Sequence, residues 1–320
     1  MGGEATSARA FPRALTAAGK LFRMTPSAAR EAIWGYVFLI PWLLGLLIFM
    51  VGPIVASFYL SFTEYSILGT PKWIGINNFV TAFTKDDLMW PSVGRTFVYA
   101  FAIVPLGLFG SLLLAVMLNQ QLLGTSLYRT LFFMANLIPI VASAILWTWM
   151  LHPKLGPVNW LIGQFGIEGP GWMASPTWAL PTVILIGLWS SLGGNRMIIF
   201  LAGLQGVPKE LYEAAEIDGA RQWDKFRNVT LPMISPTMLF NLILGVIGAL
   251  QVFNIAYVAT AGGPSYATWF FALHIYRQAF EYFRMGYGSA LAWLFTLILL
   301  GLTYIQMRTA GRWVYYAGEQ

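Results

Sequence analysis

The sequence predicts an all-α integral membrane protein of six transmembrane helices, and three observations carry that prediction. Hydrophobic residues make up 58% of the 320-residue chain and charged residues only 10%, against about 25% charged in an ordinary soluble domain. Six segments hold the ~20 mostly apolar residues a helix needs to cross a bilayer. None of the six contains Asp or Glu. A soluble chain of this length has no core large enough to hide so much apolar surface.

Residues 1–32 form a basic N-terminal segment; the first 30 carry five basic side chains and one acid, Glu4. No short apolar core with a small-residue cleavage site follows, so no cleaved signal peptide is expected. The segment reads as a disordered tail or as an amphipathic helix on the inner leaflet. The spans of the membrane domain (33–308) are expected at 33–60, 95–118, 128–150, 177–204, 233–258 and 287–308. Loop 61–94 is polar and aromatic, and loop 151–176 is rich in Gly, Pro and Trp, which suits a membrane interface. The run Tyr266–Tyr276 is too short to span. It reads as an interfacial helix continuing amphipathically to Phe283.

Lys and Arg set the orientation. With the N-terminus inside, the inner segments hold twelve: Arg9, Arg13, Lys20, Arg23, Arg30, Arg129, Lys209, Arg221, Lys225, Arg227, Arg308 and Arg312. The outer segments hold six: Lys72, Lys85, Arg95, Lys154, Arg277 and Arg284. This places both termini, including the tail 309–320, in the cytoplasm. The net charge of +6 is then read as basic loops facing anionic headgroups rather than as a nucleic-acid footprint.

Several chemistries are excluded. There is no Cys, so there are no disulfides and no thiolate metal site. His152 and His274 have no carboxylate at helical spacing, and no metal site or chemistry is expected of them. No phosphate-binding G-x-x-x-x-G-K-[ST] stretch occurs; the nearest dipeptide is Gly19-Lys20. The chain therefore carries no ATP-hydrolysing motif of its own, and if it works in an ATP-driven process the ATPase is another polypeptide.

Residues 213–232, EAAEIDGARQWDKFRNVTLP, interrupt the apolar pattern within the loop 205–232. Ala214 and Ala215 favour helix, and Gly219 can end that helix in a left-handed cap. A second helical turn follows from Arg221 to Arg227, and Pro232 leads into the next span. The product is a short helix, a turn and a short helix just outside the bilayer, a shape that can dock in a partner's groove.

Glu213-Ala214-Ala215, three residues, Gly219, nine residues, Val229, one residue and Leu231-Pro232 resemble the EAA-loop signature of binding-protein-dependent ABC importer permeases. Val229 stands where Ile is more usual. The stretches Trp73–Phe79 (WIGINNF), Leu127–Phe133 (LYRTLFF), Leu211–Gly219 (LYEAAEIDG), Thr260–Pro264 (TAGGP) and Gly286–Ala290 (GYGSA) are similar to the same family. The likeness is to its carbohydrate-uptake subgroup, on the side of the maltose and glycerol-phosphate permeases. Loop 61–94 is too short for the large external domain of some maltose permeases.

The resemblance implies a type I importer permease core in a bacterial inner membrane. It implies a second permease, a different polypeptide, to complete the pore. Two cytoplasmic ATPase subunits would hold ATP and Mg, and an external binding protein would deliver a sugar, oligosaccharide or glycerol-phosphate-like solute. No cofactor is expected in this chain. Glu213, Ala214, Ala215, Asp218 and Gly219 are the implied ATPase contacts. Polar residues inside spans usually face a bundle interior or a path. The implied path residues are Trp189, Ser190 and Asn195 on the fourth span, with Gln251 and Asn254 on the fifth. Asn254 departs from an Asp common in the family. Arg196, about two turns from the inner face, either snorkels or serves an inner gate or an anionic solute. An ion-coupled secondary transporter is the alternative reading. It normally needs an intramembrane acid or a sodium cage, and the spans hold no acid.

Overall fold

A computed structural model describes residues 25–120 and 124–316. The basic residues expected before position 25 and the last four of the tail lie outside the described residues. The chain forms two compact units, residues 1–59 and 60–320.

The first unit holds α1 (Pro26–Leu46) and most of α2 (Gly52–Ser61), joined by a π-type turn. Thr25 caps α1: its Oγ1 accepts from Ala28 N at 3.4 Å, and Pro26 follows at the first turn, where its missing N–H costs nothing. Residues 37–56 carry no charged, amide or hydroxyl side chain, as expected of a helix that spans lipid.

The second unit is built around α4 (Met89–Leu118). Before it come a two-residue hairpin, Thr63 opposite Trp73 and Glu64 opposite Lys72, and α3 (Asn77–Thr84). Asn78 is buried and donates to Ser61 O and Thr63 O, both at 2.9 Å. That gives the WIGINNF stretch a physical role: it ties α3 to the end of α2. After α4 come α5 (Thr125–Met134), α6 (Ile140–Met150), α7 (Pro157–Gly163), α8 (Pro176–Leu192) and α9 (Gly194–Gln205). The loop helices α10 (Lys209–Ile217) and α11 (Gln222–Lys225) precede α12 (Ser235–Leu250), α13 (Phe271–Tyr276) and α14 (Met285–Ala310). Helix α4 packs against α8, α9 and α12, and small residues on its buried face (Ala100, Gly107, Ser111, Ala115) allow close approach.

Three of the expected spans are long apolar helices, Arg30–Ser61, Met89–Leu118 and Met285–Ala310. The other three depart from a simple helix. The segment 128–150 divides between α5 and α6, because Pro139 removes a backbone donor and turns the chain out of helix at the residue before it. The segment 177–204 breaks at Gly193, with α8 and α9 bent by 41°. The segment 233–258 is α-helical from Ser235 to Leu250, breaks at 251–253 and resumes in a π-type stretch at Ala256–Thr260, and α12 is bent by 65° from the helical run that precedes it. Most of the stretch Tyr266–Tyr276 does not lie on the surface of the protein. Phe270, Phe271, Leu273 and His274 are at most 1% exposed, and Thr96 Oγ1 on α4 accepts from Phe271 N at 2.9 Å. Helix α13 is a core element wedged against α4 and α14.

Candidate functional site

The expected helix–turn–helix is present as α10, a turn and α11, which runs on through a π-type turn to Met233. Gly219 has φ +80. Ala220 N donates to Ala215 O at 2.9 Å and Gly219 N to Glu216 O at 3.0 Å. This pair of bonds is a Schellman cap and satisfies carbonyls the helix end would otherwise leave open. Asp224 Oδ2 accepts from Arg221 N at 3.0 Å, fixing the start of α11. Across the turn, buried Lys225 Nζ meets Glu216 Oε1 at 2.6 Å, and Tyr212 and Thr230 share a hydrogen bond of 3.0 Å. The two short helices are thus held as one rigid corner. Glu213, Ala214, Asp218 and Gly219 are exposed on it and Ala215 is half-buried. Beside them two large apolar side chains are uncovered, Ile217 at 87% exposed and Trp223 at 66%.

A second site lies at the Gly193 break. A carbon at Cβ of Gly193 would lie 2.4 Å from Phe132 O, and one on Gly194 (φ +65) 2.8 Å from Asn136 Cβ, so α5 and the turn after it approach the break closely. A cavity of about 220 Å³ opens there, lined by Asn136, Ser190, Ser191, Asn195, Arg196 and Asn241 among others. Ser190 and Asn195, expected on the path, are therefore brought together. Trp189 sits next to them, 57% exposed and edge-on to Trp147 at 5.9 Å. Gln251 and Asn254 lie past the end of α12, exposed and away from this cavity. Asn136 and Asn241, the latter one of the polar residues carried by the fifth span, line the same cavity. Arg196 does not snorkel. Its guanidinium is directed between α4 and α12, where a Cβ on Gly107 would lie 2.5 Å from Nη1 and one on Gly245 3.1 Å from Nη2.

His274, assigned no chemistry, has a partner after all. Trp269 Nε1 donates to its Nδ1 at 3.1 Å, and its Nε2 is 2.8 Å from Asp86 Oδ2. Indole is only a donor, so Nδ1 must be bare and Nε2 must carry the proton that Asp86 accepts. Tyr287 Oη donates to the same carboxylate oxygen at 2.5 Å, and Leu88 N to Oδ1 at 3.0 Å. Burial pushes the Asp86 carboxyl up, but the His274 and Tyr287 hydrogen bonds outweigh it and bring its pKa down to about 2. No group of three or more His, Cys, Asp or Glu suited to a metal occurs among the described residues. His152 only accepts backbone donors from its own turn.

Residues 107–311, more than half of the chain, match the family described as binding-protein-dependent transport system inner membrane component. The chain belongs to that family. The chain is 40% identical over 298 residues to the probable ABC transporter permease YesP of Bacillus subtilis, covering 92% of this chain and 96% of that one. It is 31% identical to the trehalose/maltose permease MalF of Thermococcus litoralis, over 87% and 94% of the two chains. It is 33% identical to the sulfoquinovosyl glycerol permease SmoG of Agrobacterium fabrum, over 81% and 84%. In fold it is similar to a chain of a bacterial ABC transporter for alginate import, with TM-score 0.80 and 24% identity, covering 89% of this permease and 98% of that chain. The protein is thus a multi-pass inner-membrane permease subunit with the type I importer fold. The broken fourth segment and the helix–turn–helix corner both lie within the matched residues of this permease.

Proposed function

We propose that this permease is one half of the translocation path of an ATP-driven importer for a sugar, oligosaccharide or glycerol-phosphate-like solute. The observation that carries the reading is the rigid corner of α10 and α11, with Glu213, Ala214, Asp218 and Gly219 exposed on its surface. Relatives named as a trehalose/maltose permease and an sn-glycerol-3-phosphate permease support the solute class. A second, different permease completes the pore. Two cytoplasmic ATPases bind ATP and Mg and grip this corner, and an external binding protein delivers solute. Both termini and the loop 205–232 face the cytoplasm, following the bias of basic residues.

Helix α9 joins the corner to the cavity. Its twelve residues make a rod of about 18 Å from the Gly193 break to the residues just before Lys209. ATPase closure that displaces α10 moves this rod, and the Gly193 break is the hinge that lets it move relative to α8. Opening and closing of the path follow from that motion, without covalent chemistry in this chain.

Gly219→Trp tests the reading. A Cβ there meets nothing within 4 Å, so the added ring points out toward the docking partner. The left-handed φ costs any L-residue roughly 1–2 kcal/mol, which Gly219→Ala controls for. The expected result is that Gly219→Ala still co-purifies with the ATPase and transports, while Gly219→Trp inserts normally but loses ATPase and uptake. Normal co-purification and uptake by Gly219→Trp would refute the coupling role.

A further inference from the structure

Arg196 is a cation at membrane depth with no acid to pair with. The six apolar segments contain no Asp or Glu, and among the described residues no carboxylate forms an ion pair with it. Its Nη1 is buried without a hydrogen-bond partner. The side chain is nonetheless given a fitted place, because Gly107 on α4 and Gly245 on α12 lack the carbons that would collide with it. An isolated buried charge is strongly unfavourable unless something pairs with it, and intramembrane charges mark solute or ion paths.

The surroundings add to the positive potential. Helix α9 begins at the break, and no side chain caps it. Its first backbone N–H groups have no partner within the helix, and they carry the positive end of the helix dipole. Discontinuous helices of this kind present their N-terminal ends to anionic groups in other membrane carriers. Amide and hydroxyl groups of Asn136, Ser190 and Asn195 line the same cavity. These are groups that bond sugar hydroxyls. At about 220 Å³ the cavity is smaller than the about 300–1,000 Å³ of drug-sized sites. It fits one charged unit rather than a whole oligosaccharide.

We infer that the solute of this permease carries an oxyanion, a sugar carboxylate or phosphate, and that Arg196 is the residue that selects it in the membrane. The inference rests on the importer reading above and narrows its solute to a charged class. The guanidinium fork suits carboxylate and phosphate alike.

The test is uptake into liposomes by the assembled complex with its binding protein, using digalacturonate, glucose 6-phosphate and neutral galactobiose as probes. Wild type is expected to import one of the anionic probes in preference to galactobiose; which one distinguishes carboxylate from phosphate. Arg196→Gln should lower that anionic uptake by at least about tenfold, the effect of losing charge-assisted hydrogen bonds, with assembly of the complex retained. If Arg196→Gln does not accumulate, Arg196→Lys is read instead. It keeps the charge but loses the fork, and a fall in the anionic-to-neutral ratio supports the proposal while an unchanged ratio overturns it. Import of galactobiose alone, insensitive to Arg196, overturns the inference and leaves the importer reading intact. No uptake of any probe overturns it as well, and the Gly219 variants then judge the importer reading separately. Failure of Arg196→Gln to assemble with the second permease, while it is itself stably inserted, would show that a partner's acid answers the charge and would also overturn it.

Discussion

Asp86→Asn should destabilise the second unit by about 2 kcal/mol at neutral pH, because it breaks the chain of hydrogen bonds from Trp269 to Tyr287. The Asp86 carboxylate side chain is 10% exposed and accepts from His274 Nε2, Tyr287 Oη and Leu88 N. Its pKa falls from 3.8 to about 2. At 1.36 kcal/mol per unit, that shift is worth about 2 kcal/mol. A depressed carboxylate gives its full stabilisation above the unfolded value of 3.8 and loses it as pH falls through about 2. About half is gone by pH 3. Asparagine keeps the shape but turns one acceptor into a donor. If His274 changes tautomer to accept from the new amide, its Nδ1–H then faces the Trp269 N–H, so every arrangement leaves a donor unpaired. For a unit of this size the Tm should drop by about 4–8 °C. Tryptophan fluorescence of the detergent-purified protein during heating, at pH 7 and pH 3, measures it. The gap between wild type and Asp86→Asn should be wide at pH 7 and about half as wide at pH 3. A gap under a degree at pH 7, or one that widens with acid, would refute the assignment of charge and donors.

Two further outcomes are expected. Gly286→Ala should destabilise the protein by more than about 1–3 kcal/mol, because its Cβ would lie 2.0 Å from Thr63 O, a backbone atom. Gly301→Ala on the same helix meets nothing within 4 Å and should be neutral or stabilising by up to about 1 kcal/mol, so equal melting temperatures for the two variants would contradict the packing described. The chain has no native Cys, and both Ser265 and Gln222 are exposed. An impermeant thiol reagent added to intact cells should label Ser265→Cys and spare Gln222→Cys; the reverse pattern would invert the topology.

The helix–turn–helix corner was legible from the sequence because everything that shapes it is local. A left-handed glycine, a Schellman cap and a Lys225–Glu216 pair nine residues apart are all written within twenty positions. The apolar spans were legible as composition, but hydropathy counts residues and not continuity. Pro139 and the Gly193-Gly194 pair were visible, yet their effect depends on whether neighbouring groups take up the freed backbone, which is tertiary information. His274 could not be read at all. Its acid lies 188 residues away and the tyrosine on that acid 201 away from it, so helical spacing was the wrong test. Arg196 was placed by depth along its helix, and depth allows snorkelling; direction decided otherwise, and direction was set by two glycines on other helices.

Exposure separates two kinds of intramembrane amide in this permease. Asn241 is 2% exposed and donates to Thr237 O at 3.2 Å on its own helix, which suits a packing role. Asn195 is exposed and lies one residue past the Gly194 start of α9, with exposed Ser190 just before the break. Lipid offers neither of them a hydrogen-bond partner, so a polar face at this depth turns toward water or toward another subunit. Gln251 is ten residues beyond Asn241, about 15 Å further along the α12 direction, and it is exposed as well. The exposed polar groups therefore stand at two levels, one at the helix break and one at the end of α12. Such a distribution fits a path running the length of the bundle better than a single binding spot. It also explains why the cavity at Arg196 is only part of the polar surface that the fold leaves uncovered.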